Sequence, residues 1–587
     1  MDLYPRINLL LFSILLILGS SISLSFNLPH IHFHKFHFIK KRNNHAFLSI
    51  DSPFNFPAPS PIWPSGEGFA SGTIDLGGLI TTEVTTFNKV WTTYEGGPQN
   101  NGATFFEPIR LPNGFSLLGY YAQPNNRALF GRVVVAKDNG GGASPTLKRP
   151  QDYALIWSST NLKVKEDTNG YIWAPIPSDG YRAVGLVVTT TPDKPPLDKV
   201  MCVRSDLTSS CEVDELIWGR QGGGGSDEFD ILESRPVSNG EKAAVSIGTF
   251  MTRSGSGTTI DTPSFCLKNT LKTSTYMPNL DQIKTLINSY APTIYFHPNE
   301  QYLPSSVKWF FTNGALLYKK GEESNPVPID PTGSNLPSGG TSDELFWIDL
   351  PRDKGARENV MRGDIKSAYA YFHVKPTIGG TYTDIAIWLF YPFNGGSTAK
   401  VGIVNVPLGK IGEHVGDWEH VTLRISNFNG LLQKVFFAQH SGGEWVHSSN
   451  LEFINNTNRF VGYASLHGHA TYSHPGDVLQ GNELVGIRND TAKSNKLLDT
   501  TKDYEIISAD YIEGVIEPPW LNYARKWGPK IDYNTDDEVH KVAKVLPGKL
   551  KSKFLEFIKS LPSELLGEEG PTGPKMKRSW DGDESFN

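Results

Sequence analysis

Short runs in which apolar and polar residues alternate, broken by Gly, Asn and Pro, recur along most of this chain. A period of two marks strands with one buried face. Between residues 61 and 260 the pattern itself repeats. Val90-Trp91, Ile156-Trp157 and Ile217-Trp218 follow one another at spacings of 66 and 61 residues. Matching turn-and-strand units follow the first two: Phe106-Glu-Pro108 through Gly119 parallels Trp173-Ala-Pro175 through Gly185, and Ile231 to Thr252 is a degenerate third copy. A unit of this size cannot bury its own apolar face, so three must pack together. Three small sheets around one axis make a β-prism-like domain.

From 290 to 530 the alternating runs Ala368–Val374, Thr383–Phe390, Glu419–Ile425, Val435–Gln439 and Phe460–Leu466 predict a β-sandwich. Helical spacing is confined to short segments. One lies at Leu280 to Tyr290, within a linker over 261–289. The other, Leu550 to Leu561, has Phe554, Ile558 and Leu561 on one side and lysines elsewhere. It suits a membrane surface, although packing on the sandwich is the expectation. The region 531–587 thus reads as an amphipathic helix and an extended tail. The fold class is mainly β with few short helices.

The first 60 residues follow another pattern. Residues 7–26 are an apolar run after Arg6 that ends among Ser20, Ser21, Ser23 and Ser25, so 1–25 reads as a signal peptide, or else as a membrane anchor. This predicts the secretory or endomembrane system, either vacuolar or secreted. A His- and Pro-rich linker over 26–60 carries His30, His32, His34, His37 and His45. A His-rich tract can bind metal, but the composition favours a spacer.

Bulk composition narrows the classes. The 587 residues exceed one ordinary core, and 57 Gly and 40 Pro fit a turn-rich β protein. A net charge of −6 gives no basic face for nucleic acid. Three cysteines make no disulfide scaffold; Cys202 and Cys211 are close enough in sequence for a local bridge, leaving Cys266 over. Asn455 and Asn489 open glycosylation sequons that matter only in a secreted chain.

The candidate chemistry lies in His414-Val-Gly-Asp417-Trp418-Glu419-His420-Val421. On a strand, Asp417 and Glu419 share the face of Val421, Leu423 and Ile425. Two like charges there need a cation, an Arg, a protonated His or a raised pKa. His414 completes a hard-ligand set suited to magnesium, calcium or manganese more than to zinc. His440 and Asp384 are further candidate ligands. His467 and His469, two apart, are expected on one strand face. The competing arrangement is a buried ion-pair network of Asp417 and Glu419 with Arg424 or Arg362. Trp418 falls on the opposite face, as packing.

Taken whole, residues 53–580 resemble the plant family of vacuolar protein sorting-associated protein 62-like proteins. The likeness rests on Val90 to Gly97, Tyr290 to Phe311, Glu413 to Val421, Ala438 to Trp445 and Tyr463 to His474. It implies a trafficking connection without a mechanism. The segments Phe106 to Lys137, Lys148 to Trp157 and Ile172 to Cys211 resemble a module of the vacuolar protein sorting 13 lipid-transfer proteins, which implies lipid or membrane association. The second half also resembles the necrosis- and ethylene-inducing proteins, whose Gly-His-Arg-His-Asp-Trp-Glu heptapeptide is matched at His414, Asp417 and Glu419. That likeness implies a divalent cation and docking on lipid head groups. Gly416 stands where the family has its second His, so toxin activity does not carry over.

The expected function is that of a peripheral lipid- or glycan-binding protein of the endomembrane system with a divalent-cation site, with possible protein partners in trafficking. A metal-dependent hydrolase of phosphoesters or glycosides is the alternative, and a non-catalytic scaffold the third reading. The chain has no Gly-rich phosphate loop, no His-Glu-x-x-His and no nucleophile elbow, which favours binding over turnover.

Overall fold

Alternation carries through to structure: strands dominate, and the helices are short, from Val307–Thr312 with 6 residues to Gly548–Lys559 with 12. The computed structural model describes residues 50–584, apart from residue 51, the stretches 220–228, 238–243, 255–264 and 560–569, and a few shorter ones. The apolar run 7–26, with the signal peptide or anchor read over 1–25, lies outside the described residues, as do the histidines from His30 to His45 and Leu561.

The three Trp dipeptides occupy equivalent places. Each sits in an antiparallel hairpin at a one-residue register shift. Val90 is the extra residue between Phe87–Thr92 and Ala103–Pro108. Ile156 has that place between Asp152–Ser158 and Tyr171–Ile176, and Ile217 between Thr208–Gly219 and Phe229–Pro236. An extra residue bends a strand and re-aims the side chain that follows it. Here Trp91, Trp157 and Trp218 meet, with ring centroids 5.7, 5.7 and 6.3 Å apart. A third strand completes each sheet: Tyr121–Pro124, Val187–Thr189 and Phe250–Ser254. A second set of three small sheets encloses an apolar cluster of Leu79, Val134, Val203, Val245 and Leu267. Phe428, from the second half, is buried in that same cluster.

The disulfide differs from the expected one. Cys211 pairs with Cys266, and Cys202 is a free, buried thiol that burial pushes up to about 12. Cys202 begins a strand paired with Leu147–Lys148, whereas the strand carrying Cys211 pairs with the one carrying Cys266. The eight residues between Cys202 and Cys211 cross from one sheet to another, so closeness in sequence is not closeness in space.

The second half is built on a six-stranded sheet in the order Gly442–His447, Leu432–Gln439, His414–Ser426, Tyr382–Asn394, Ala370–Thr377 and Tyr504–Ser508, the last joined in parallel. Both faces are buried. Ile385, Ile387, Leu389, Val421, Leu423 and Ile425 fill one, and Ala386, Trp388, Phe390 and Trp418 the other. The strand Thr293–Phe296 and its partners form a separate sheet, whose Ile294 and Phe296 join the first cluster. The helix Gly548–Lys559 packs Phe554 and Ile558 against Val401, Val485 and Ile487. The described tail, 570–584, is also packed: Trp580 stacks on His373 at 3.7 Å, and Glu584 is buried. Asn455 is exposed, but Asn489 is buried and hydrogen-bonded to His440, so only the first sequon is open to a glycan.

The halves meet at a polar seam. Glu83 takes an ion pair from Arg132 at 2.9 Å and accepts hydrogen bonds from Tyr382, Ser426 and Asn429 of the second half. Lys434 faces Asp214 across it at 3.6 Å.

Two histidines make the core sensitive to acid. Burial, reinforced by Lys375, pushes His373 and His420 well below their ordinary 6.5. Below pH 6.5 the unfolded chain takes up protons that these folded rings refuse, so stability falls as pH drops. At pH 5.5 each ring accounts for about 1.4 kcal/mol, or about 3 kcal/mol together. Urea unfolding at pH 7.5 and 5.5 measures this. His420→Phe, which retains the stack on Trp388, should lose one ring's share of that pH difference, about 1.4 kcal/mol; equal sensitivity in parent and variant would contradict the assignment.

Candidate functional site

Strand pleating places Asp417 opposite Tyr391 and Glu419 opposite Leu389, on the face that carries Val421, Leu423 and Ile425. Asp417 is 5% exposed. Its compensating partner is His469: the ring Nδ1 lies 3.2 Å from Asp417 Oδ2, and Nε2 lies 2.9 Å from the Tyr302 carbonyl. Both partners are acceptors, so the ring bridges Asp417 and the Tyr302 loop. The ring also stacks on Tyr391 at 3.9 Å. Burial pushes the Asp417 carboxyl up, but the His469 hydrogen bond, with His414, His469 and Lys577 close by, outweighs it and holds it at about 2.

His414 approaches the other carboxylate oxygen. Its Nδ1 is 3.2 Å from the Gly416 carbonyl, which fixes the proton there and leaves Nε2 bare. That Nε2 stands 4.0 Å from Asp417 Oδ1. Burial lowers the His414 pKa despite the neighbouring Asp417, so the neutral ring is favoured. Two acceptors therefore face each other, and a cation or a donor such as water suits the space between them. Nearby, the Tyr391 hydroxyl is buried without a hydrogen-bond partner. Burial and the charges of Glu419, Asp417 and Glu300 push this phenol well above its ordinary range. A cavity of about 10 Å³ beside Tyr391 and Glu419 is at the lower limit of what holds one water.

Other candidate residues divide. Asp384 is not available as a ligand: both oxygens are taken by Arg424, at 2.9 and 2.7 Å. Arg424 is thereby engaged away from Asp417 and Glu419. His467 and His469 do not share a strand face, because they lie in the turn between Val461–Ala464 and Thr471–Tyr472, both at positive φ. His467 Nδ1 points to the Gly396 carbonyl at 3.4 Å, while His469 turns to Asp417. His440, also at positive φ, bonds Asn489 at 2.9 Å. Three left-handed histidines in one region mark a strained, over-determined site.

Glu300 is missing from the sequence-derived set. It accepts from the backbone N–H groups of Gln301, Tyr302 and His467, and so ties the Tyr302 loop to the histidine turn. Its signal was an acidic residue closing the His297-Pro-Asn-Glu300 segment just after a strand. Among the described residues, one trio of potential ligands brings its donor atoms within 4.8 Å of one another, and it lies elsewhere: Glu215, Glu233 and His447.

This fold and site define a mainly β protein with a strained carboxylate–histidine centre. The chain belongs to the vacuolar protein sorting-associated protein 62 family, whose model matches residues 50–584. It is 28% identical over 190 residues to the Saccharomyces cerevisiae vacuolar protein sorting-associated protein 62, covering 29% of this chain and 39% of that one. It is 23% identical over 181 residues to the putative vacuolar protein sorting-associated protein TDA6 of the same yeast, covering 28% and 37%. The matched stretch thus spans about two-fifths of each relative. Among solved structures, GNIP1Aa from Chromobacterium piscinae is similar at a TM-score of 0.27 and 18% identity, over 36% of this chain and 40% of that one. NLPPya in complex with glucosamine is similar at 0.22 and 11%, over 44% and 89%. At those scores the likenesses carry no argument about ligands. Among the described residues no helix is long and apolar enough to cross a membrane.

Proposed function

We propose that this protein is a peripheral binding protein of the endomembrane system, acting in vacuolar sorting, that engages lipid head groups or glycans through a divalent cation held at Asp417 and His414. The observation that carries this reading is the pair of facing acceptors, Asp417 Oδ1 and His414 Nε2, 4.0 Å apart. Magnesium or calcium binds carboxylate oxygens and retains water or takes oxygens from a ligand when the protein supplies few. With two protein donors at this edge, the remaining positions suit phosphate or sugar oxygens. The left-handed turn through His467 and His469 then serves to hold Asp417 ionised and aimed. Membership of a vacuolar sorting family supports the cellular setting, and protein partners in trafficking are part of the same proposal.

The test is flotation of the purified chain on phosphoinositide- and sphingolipid-containing vesicles, beside a glycan array, each with and without EDTA. Binding to one of the two surfaces should fall more than about tenfold with chelator and in Asp417→Asn, with little change in melting temperature. Binding that ignores both changes would sink the cation reading. Chelator-sensitive turnover of a phosphoester or glycoside would replace it with the hydrolase.

A further inference from the structure

The polar seam holds a second constellation, separate from Asp417 and unused by the function proposed above. Glu215 lies in the irregular part of the strand Thr208–Gly219, where the register shifts between Val213 and Leu216. Glu233 lies on its partner strand, Phe229–Pro236. His447 ends the edge strand of the six-stranded sheet and pairs in register with Lys434. Three residues from two halves of the molecule thus bring their donor atoms within 4.8 Å of one another.

The polar atoms at this point are not satisfied by the protein. Glu215 Oε1 and His447 Nε2 are shut off from solvent and have no hydrogen-bond partner. A buried acceptor left unmade is costly, and natural folds rarely leave two together without a ligand, ion or water. A neutral imidazole nitrogen and two carboxylates are the donor forms a transition metal takes. A cavity of about 130 Å³ is lined by Glu233 and His447, with Arg132, Arg235, Arg424 and Lys434 also on its wall, and leaves room for waters beside the two ligands. Opposing charges are present too: Arg127 pairs with Glu233 at 3.3 Å, and Lys434 lies close by on Asp214. A bound dication would draw Glu233 away from Arg127, and a contraction of up to about 1.5 Å would bring the donors to tetrahedral spacing.

We propose that Glu215, Glu233 and His447 form a transition-metal site of the zinc class that clamps the two halves of the protein together across their seam. The donor set of two carboxylates and one imidazole, with an open position, is that of zinc and its neighbours rather than of calcium, which prefers an all-oxygen shell. Its role here is structural, because the three ligands come from strands of both halves and would be tied together across the seam.

The full chain, stripped with EDTA and returned to zinc sulfate, tests this by calorimetric titration and thermal melting. Zinc should bind and raise the melting temperature of the parent. In Glu215→Gln and His447→Gln the affinity should fall more than about tenfold, and the shift in melting temperature should disappear. Glu215→Gln is expected to fold, since the amide has nearly the shape of the carboxyl it replaces, and near-UV circular dichroism verifies this. Asp417→Asn should respond to zinc like the parent, which separates this site from the one proposed above. Cobalt should give a visible absorption band in the parent and lose it in both seam variants. Absence of zinc binding, or a response kept intact in both seam variants, overturns the assignment.

Discussion

Replacing Glu584 with Ala is expected to cost the protein about 4 kcal/mol, close to what breaking a buried ion pair costs. Lys375 Nζ lies 3.0 Å from Glu584 Oε1, and their side chains are 9% and 0% exposed. Thr422 donates to the same oxygen, and the Trp445 indole donates to the Glu584 carbonyl. The pair belongs to a row of charge across the sheet. Lys375 stands opposite Asp384, Asp384 opposite Arg424, and Arg424 opposite Lys434. Without Glu584, Lys375 retains only carbonyl acceptors at Ser579 and Trp580, so a buried cation is left without its counter-charge. Urea unfolding measures the loss. The double variant Lys375→Met, Glu584→Ala should recover most of it, because it removes the stranded charge. A loss under about 1 kcal/mol for the single variant would show that water reaches this pair.

The second large effect is at the disulfide. Cys211 and Cys266 are 55 residues apart, and releasing a loop of that length from the denatured chain corresponds to about 4 kcal/mol. Cys266→Ser should therefore lower the oxidised protein's stability by that amount. Cys202→Ala should cost less, since it removes one small buried group and no cross-link. Thiol labelling should count one free cysteine in the parent, reactive only after unfolding. Two or three reactive thiols in the native protein would refute the pairing.

What was legible in the chain was local. The Trp dipeptides announced three like units because a bulge and its Trp are adjacent residues, so their spacing survives divergence elsewhere. The alternation from Asp417 to Ile425 sorted the strand's two faces correctly for the same reason, though both are buried. Partners across the fold were not legible. Asp384 meets Arg424 only because two long strands lie in register. Cys211 chooses Cys266 because the chain between Cys202 and Cys211 changes sheet. His467 and His469 have strand-like spacing but sit in a turn whose left-handed residues a period of two cannot reveal. Glu300 and the seam trio are assembled from distant segments, and their sequence signal is single acidic or His residues in unremarkable company. The described tail lacks alternation, yet docks through Trp580 and Glu584, whose partners lie in the central sheet.

The position of Glu584 also bears on the order of assembly. Each Trp hairpin pairs neighbours along the chain, so this half can form as it emerges. The central sheet depends on contacts that loop far along the chain: its sixth strand joins in parallel, and Lys375 waits for an acid 209 residues away. Long-range and parallel pairings are the slow part of folding, and their unfinished faces invite association. An early prism half beside an open sheet with an uncapped Lys375 is thus the intermediate most exposed to aggregation, and the one a folding helper would meet.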